Sequence, residues 1–148
     1  MQRLFLEDIM PGQRFTSSPR SMTAAAIKAF AGSYDPQPFH LDEAAAAETL
    51  FAGLAASGWH TAAVTMSMVV ESVPFAGGII GSGGELSWPR PTRPGDTLRV
   101  ETEVLAVTPS RSRPERGMVT VRVVTLNQNG EEVQSFTPKV VVPRRPAA

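Results

Sequence analysis

The chain of 148 residues contains no cysteine. Disulfides, thiolate nucleophiles, cysteine-ligated zinc and iron–sulfur chemistry are therefore excluded. Histidine is almost as scarce, with two in the chain and no dense carboxylate cluster beside them. No tight metal site is expected, and no other cofactor. Neither sign of charge is in excess: fourteen basic and fourteen acidic residues cancel. That argues against partners such as nucleic acid or a membrane surface, which call for a basic field. Long hydrophobic runs are missing too. The longest uncharged apolar stretch, Trp59 to Val70, is too short to span a bilayer. The opening Met1-Gln-Arg-Leu-Phe-Leu-Glu-Asp has no apolar core ahead of its charges, so no secretion signal is read there and a cytoplasmic location is expected.

What is present describes a globular chain. Hydrophobic residues make up 42% and charged residues 19%, enough apolar material for one domain over residues 1–148. The charge is unevenly spread. Residues 1–85 carry four Lys/Arg and eight Asp/Glu; residues 86–148 carry ten and six. A basic face in the second half suits either a phosphate-bearing ligand or plain solvation of a sheet.

Pattern places the elements. Pro11-Gly12 marks a turn, followed by a short strand near Gln13–Ser17. Residues 22–31 predict a helix, with Thr23 as cap, Ile27, Phe30 and Ala31 on one face, and Gly32 as terminator. Pro36 and Pro38 push the residues before them toward extended geometry, so Asp35 and Gln37 lie in a stiff loop. Asp42 opens a second helix as N-cap. Trp59 to Ser72 holds no charge before Glu71, which reads as a core helix buried on every face. Four strands follow, at about Ile79–Trp88, Thr97–Thr108, Gly117–Asn127 and Glu132–Val142. Arg99, Glu101 and Glu103 alternate with Leu98, Val100, Thr102 and Val104, the mark of a half-exposed antiparallel strand. Pro138 predicts an edge or a bulge, and Pro143 to Ala148 a frayed tail. Helices first, then an antiparallel sheet, is an α+β chain with the sheet curled around one long helix.

Chemistry concentrates in Phe30–Ser72. Asp35 and His40, five residues apart on a proline-locked loop, can pair as general base and general acid; a solvated Asp-Pro turn would use the same residues. Gly58 opens the apolar helix, and its free N–H can hold an oxygen that gains negative charge, or the glycine can simply give packing room. His60, inside that helix, reads as a core residue. Ser33, Ser57 and Ser67 lack the Gly-x-Ser-x-Gly elbow of a serine hydrolase.

Phe30-Ala-Gly-Ser-Tyr-Asp35-Pro-Gln-Pro-Phe-His40-Leu-Asp42, continued by Phe51-Ala-Gly53 and Ala56-Ser-Gly58-Trp59, resembles the signature of the MaoC-like dehydratases, the (R)-specific enoyl-CoA hydratase group. Glu85-Leu-Ser-Trp88 and Arg93-Pro-Gly95-Asp96 resemble the strand and turn that follow in that family. The resemblance covers about Leu4 to Val142. It implies a hotdog fold, an antiparallel sheet wrapped around a central helix, working as a homodimer or a multiple of dimers. It implies reversible addition of water to the double bond of an enoyl thioester, most simply a coenzyme A thioester. Asp35 would then activate the water, His40 would protonate the α-carbon, and the Gly58 N–H would polarise the thioester carbonyl. Tyr34, Gln37 and Phe39 depart from the usual pattern and would narrow an acyl pocket, with Trp59 as a further lining residue. Arg90 and Arg93 are the candidates for the coenzyme phosphates. Two other readings stand beside this one. A hotdog thioesterase wants a carboxylate on the central helix near the thioester, and Trp59 to Val70 has none. A non-catalytic acyl-CoA-binding subunit would be expected to lose Asp35 or His40, and both are kept.

Overall fold

The computed structural model describes residues 2–147. In chain order it contains a 3-10 turn (Leu6–Asp8), β1 (Arg14–Thr16), β2 (Arg20–Ser21), α1 (Ala24–Tyr34), α2 (Pro38–Leu41), α3 (Glu43–Ala47), α4 (Gly58–Ser72), β3 (Ile80–Ser87), β4 (Thr97–Pro109), β5 (Arg116–Leu126) and β6 (Glu132–Pro143). All strand pairings are antiparallel, in the order β1-β4-β5-β6-β3, with β2 also on β4. The sheet closes over α4, which is the hotdog arrangement.

Alternation builds the core. Leu98, Val100 and Val104 of β4, Val119, Val121 and Val123 of β5, and Val133, Val140 and Val142 of β6 all face inward. They meet Met68 and Val69 of α4, and each buried side chain of this size stabilises the fold by about 1.5–3 kcal/mol. Ile27 of α1 joins the same cluster. Thr65 Oγ1 and Thr125 Oγ1 lie 2.7 Å apart within it, so α4 is also tied to β5 by a buried hydrogen bond.

Three expectations need correction, and one more, that at Pro138, is narrowed to one of its two alternatives. First, α4 is not buried all round. His60, Thr61, Thr65, Met68 and Val69 are covered, but Trp59, Met66 and Val70 are exposed. One sheet covers one side of a helix, and apolar residues on the other side look identical in sequence. Second, Gly32 does not end α1. The helix runs on to Tyr34 and stops because Pro36 excludes the helical region at Asp35, which takes φ −155° and ψ 67°. Third, Pro138 marks a bulge and not an edge. Strand β6 lies between β5 and β3, and the β3 register shifts between Gly81 and Gly84. Gly84 is required there, because a Cβ would sit 2.4 Å from the Thr137 carbonyl oxygen. Fourth, the chain past Pro143 is held. The Arg144 N–H donates to the Glu115 carbonyl oxygen, and Arg145 binds Glu7 and Asp8. Charge complementarity with the acidic 3-10 turn fixes it; Ala148 lies outside the described residues.

Candidate active site

The site forms where the end of α1, the turn α2 and the start of α4 meet. The residue types dictate each local shape. Thr23 caps α1 by accepting from the Ala26 N–H. Pro38 stands at the first position of α2, where its missing N–H costs nothing. His40 is thereby placed on one helical turn, five residues after Asp35. Asp42 closes α2 and caps α3 by accepting from Ala44 and Ala45.

The Asp35 and His40 side chains touch. His40 Nε2 lies 3.2 Å from Asp35 Oδ2, with both side chains largely withdrawn from solvent. The other imidazole nitrogen, Nδ1, is 2.6 Å from the Ala55 carbonyl oxygen. A carbonyl only accepts, so Nδ1 carries a proton. This leaves Nε2 as the nitrogen that can exchange a proton with Asp35 or with a bound molecule. Ser57 Oγ donates to Asp35 Oδ2 at 2.7 Å, and Gln37 Nε2 donates to Oδ1 at 2.5 Å. Burial raises the Asp35 carboxyl, but these two hydrogen bonds and the facing His40 outweigh it. The carboxyl is held below its ordinary value.

Ser57 works in two directions. It is fully buried, caps α4 by accepting from the Trp59 N–H at 3.2 Å, and donates to Asp35. The residue that starts the central helix also orients the carboxylate. In sequence Ser57 stands out only as a serine without a hydrolase elbow around it. The usable signal was its place before the helical Gly58, since serine is a preferred N-cap.

Gly58 needs to be glycine. A Cβ there would come within 2.6–2.8 Å of the Trp88 indole. The indole is itself fixed, its Nε1–H donating to the buried Gln134 Oε1 at 2.9 Å. As the first residue of α4, Gly58 has an N–H with no acceptor inside the helix. A cavity of about 390 Å³ opens beside it. Its walls include His40 and Gly58, together with Gln37, Phe39, Phe51, Trp88 and Arg90. Asp35 touches two of the lining residues, His40 and Gln37, without lining the cavity itself.

Three candidate ligand contacts lie elsewhere in this chain. Tyr34 is 75% exposed and rests on Phe30, because it ends α1 on the solvent side. Trp59 is 59% exposed and packs edge-on against Trp88, outside the cavity. The Arg93 guanidinium turns inward. It donates to the carbonyl oxygens of Phe51, Gly53 and Leu54 and so pins the loop that delivers Ala55 and Ser57. Arg90 stays at the cavity rim, 3.5 Å from Glu131 and half exposed. The carboxylate of α4, Glu71, lies at the far end of the helix and pairs with Arg20.

His60 stacks face to face on Phe30, with ring centres 4.7 Å apart, and its Nδ1 is buried without a hydrogen-bond partner among the described residues. Burial holds this imidazole below its ordinary value. The unfolded chain therefore takes up a proton first, near pH 6.5, while the folded chain resists. Stability is unaffected above that pH and declines as pH falls from there to the folded-state value. His60→Phe keeps the ring and loses the proton site. Its Tm is expected to fall less than that of the wild type between pH 6.5 and 5; equal losses would show that His60 does not set the acid response.

The curled antiparallel sheet on its one long helix defines a hotdog fold. Residues 8–128 match the family described as MaoC like domain, and the chain belongs to that family. A MaoC-like dehydratase from Rhodospirillum rubrum superposes with a TM-score of 0.95 at 66% identity, over 97% of this chain and 99% of that one. The R-hydratase PhaJ1 from Pseudomonas aeruginosa superposes with a TM-score of 0.77 at 29% identity, over 97% of this chain and 88% of that one. The uncharacterized protein YdeM of Bacillus subtilis is 34% identical over 140 residues, 93% of this chain and 96% of its own.

Proposed function

We propose that the protein catalyses reversible hydration of a 2-enoyl thioester to a 3-hydroxyacyl thioester, with coenzyme A as the most economical carrier. The observation that carries this reading is the 3.2 Å contact between Asp35 Oδ2 and His40 Nε2, with His40 and Gly58 lining one cavity. Hydration needs a base for water, an acid for the α-carbon and a donor for the thioester oxygen, and no cofactor.

The ionised Asp35 takes a proton from water as its oxygen bonds to the β-carbon. The protonated His40 gives its Nε2 proton to the α-carbon. The Gly58 N–H holds the carbonyl oxygen while charge builds on it. The proton gained by Asp35 then passes to the adjacent His40, which resets the pair. Because the two groups touch, both act from one face of the double bond. The test is direct: purified protein should bleach the conjugated absorbance of crotonyl-CoA, and should restore it from 3-hydroxybutyryl-CoA. No change with short or long enoyl-CoA thioesters would remove this function.

The working unit in this reading is a homodimer. Trp59, Met66, Val70 and Ile80 expose apolar surface on and beside α4. Strand β3 is a sheet end, paired on one side with β6. An open edge and a bare apolar face are both relieved by a second copy. The expected interface buries about 1,600 Å² or more. Sedimentation should give a dimer or a multiple of dimers at micromolar concentration; a monomer would contradict this assembly.

A further inference from the structure

The mainly apolar cavity beside His40 holds a buried polar pair. Thr61 and Thr92 both line it, and each is 2% exposed. Thr61 Oγ1 donates to Thr92 Oγ1 at 3.0 Å. Thr61 is fixed by its place in α4, and Thr92 by its carbonyl, which accepts from the Ala56 N–H at 2.8 Å. A hydroxyl has one proton to give and two lone pairs. Thr92 accepts from Thr61, which leaves its own proton without an acceptor among the described residues. A buried, unspent hydroxyl donor facing a cavity is unfavourable unless something in the cavity accepts from it.

Further along α4 the apolar space is nearly filled. A second apolar space along α4 is a void lined by Thr65, Val69, Val73, Phe75, Val121 and Phe136. It measures about 20 Å³, room for a single water. It shares no lining residue with the cavity beside His40. The Thr65–Thr125 hydrogen bond lies one helical turn beyond Thr61. Two buried threonine pairs thus stand in succession along α4.

We propose that this site takes a short acyl group whose far end carries a hydrogen-bond-accepting oxygen, bound by the Thr92 hydroxyl. This rests on the hydratase reading and narrows it to a substrate class. A methyl-ended acyl group leaves the Thr92 donor unmet, and so does a longer alkyl chain. A site built to hydrogen-bond an oxygen discriminates against an analogue that lacks it.

The test compares four thioesters on the wild-type protein: crotonyl-CoA, octenoyl-CoA, 4-hydroxycrotonyl-CoA and fumaryl-CoA. Crotonyl-CoA ends in a methyl group, and the last two replace it with a hydroxyl or a carboxylate. At least one of the oxygen-ended substrates is expected to exceed crotonyl-CoA in kcat/KM by about tenfold or more. Which of them wins distinguishes a neutral acceptor from an anionic one. Thr92→Val should bring the ratio close to one, and Thr92→Ser, which restores the hydroxyl, should bring it back. Equal or better use of crotonyl-CoA or octenoyl-CoA overturns the proposal, as does a ratio that survives Thr92→Val. The wild-type comparison decides the matter even if Thr92→Val does not fold. Failure to hydrate any of the four is a different result: it removes the hydratase reading, and the proposal with it.

Discussion

Asp35→Asn and His40→Ala are each expected to slow hydration of a good enoyl thioester by at least about 10²-fold, the lower end for a general acid or base. The surroundings predict how each variant fails. Asparagine keeps the shape of Asp35 but offers one acceptor oxygen where Ser57 and Gln37 use two, and it has no carboxylate to take a proton from water. Its stability cost should be small, about 1–2 kcal/mol. The sign follows from the lowered Asp35 carboxyl. The ionised form stabilises the folded chain above the ordinary carboxylate range, and that contribution is lost as pH falls through the folded-state value. Asp35→Asn should therefore be less stable than the wild type at neutral pH and lose less on acidification. His40→Ala leaves the Ala55 carbonyl oxygen without its donor and opens a small hole among Phe39 and Phe51, at a cost of about 1–3 kcal/mol. Circular dichroism and thermal melting separate lost chemistry from lost structure. A variant that stays folded and keeps near-normal turnover would remove that residue from the mechanism.

Gly58→Ala should be severe for a different reason. The added methyl meets three indole carbons of Trp88 at 2.6–2.8 Å, well inside van der Waals contact. The indole cannot slide away freely, because Nε1–H is held by Gln134. Either the tryptophan breaks that bond or the start of α4 moves. Overpacking of this kind costs about 1–3 kcal/mol. Movement of α4 carries Ser57 with it, and Ser57 holds Asp35. The expected result is a loss of at least about tenfold in kcat, since misplacement by an ångström near the chemistry is enough for that. Trp88→Phe in the Gly58→Ala background removes part of the colliding ring and should recover part of both stability and rate. A fully active Gly58→Ala would show that the helix start needs neither the close indole nor its present position.

The strands were legible because alternation depends on local neighbours alone. Leu98 to Val104 switch sides residue by residue, and both ends of each long strand agree with expectation to within one residue. The Asp35–His40 pair was visible as a candidate because the two prolines restrict the chain between them. Its environment was not visible. That Ser57 meets Asp35 across twenty-two residues, and that Ala55 orients His40, depends on how the segment after α3 returns to α2. The fate of Arg93 was hidden for the same reason. A guanidinium reads as a phosphate ligand or a surface charge until the three carbonyl groups of its loop are seen around it. The open side of α4 was unreadable because Met66 and Val70 carry the same hydrophobic signal as Met68 and Val69, and only the extent of the sheet separates them.

The measurement that bears most directly on the central claim is a double-mutant cycle at Asp35 and His40, read as kcat/KM for crotonyl-CoA hydration, or for whichever enoyl thioester is used best. All proteins are first checked for folding. If the two groups serve one transition state and hand a proton between them, removing the second after the first costs little. The double variant Asp35→Asn/His40→Ala should then be far less impaired than the product of the two single losses. Losses that multiply, or single variants that stay folded and hydrate at near wild-type rates, would contradict a coupled Asp35–His40 pair.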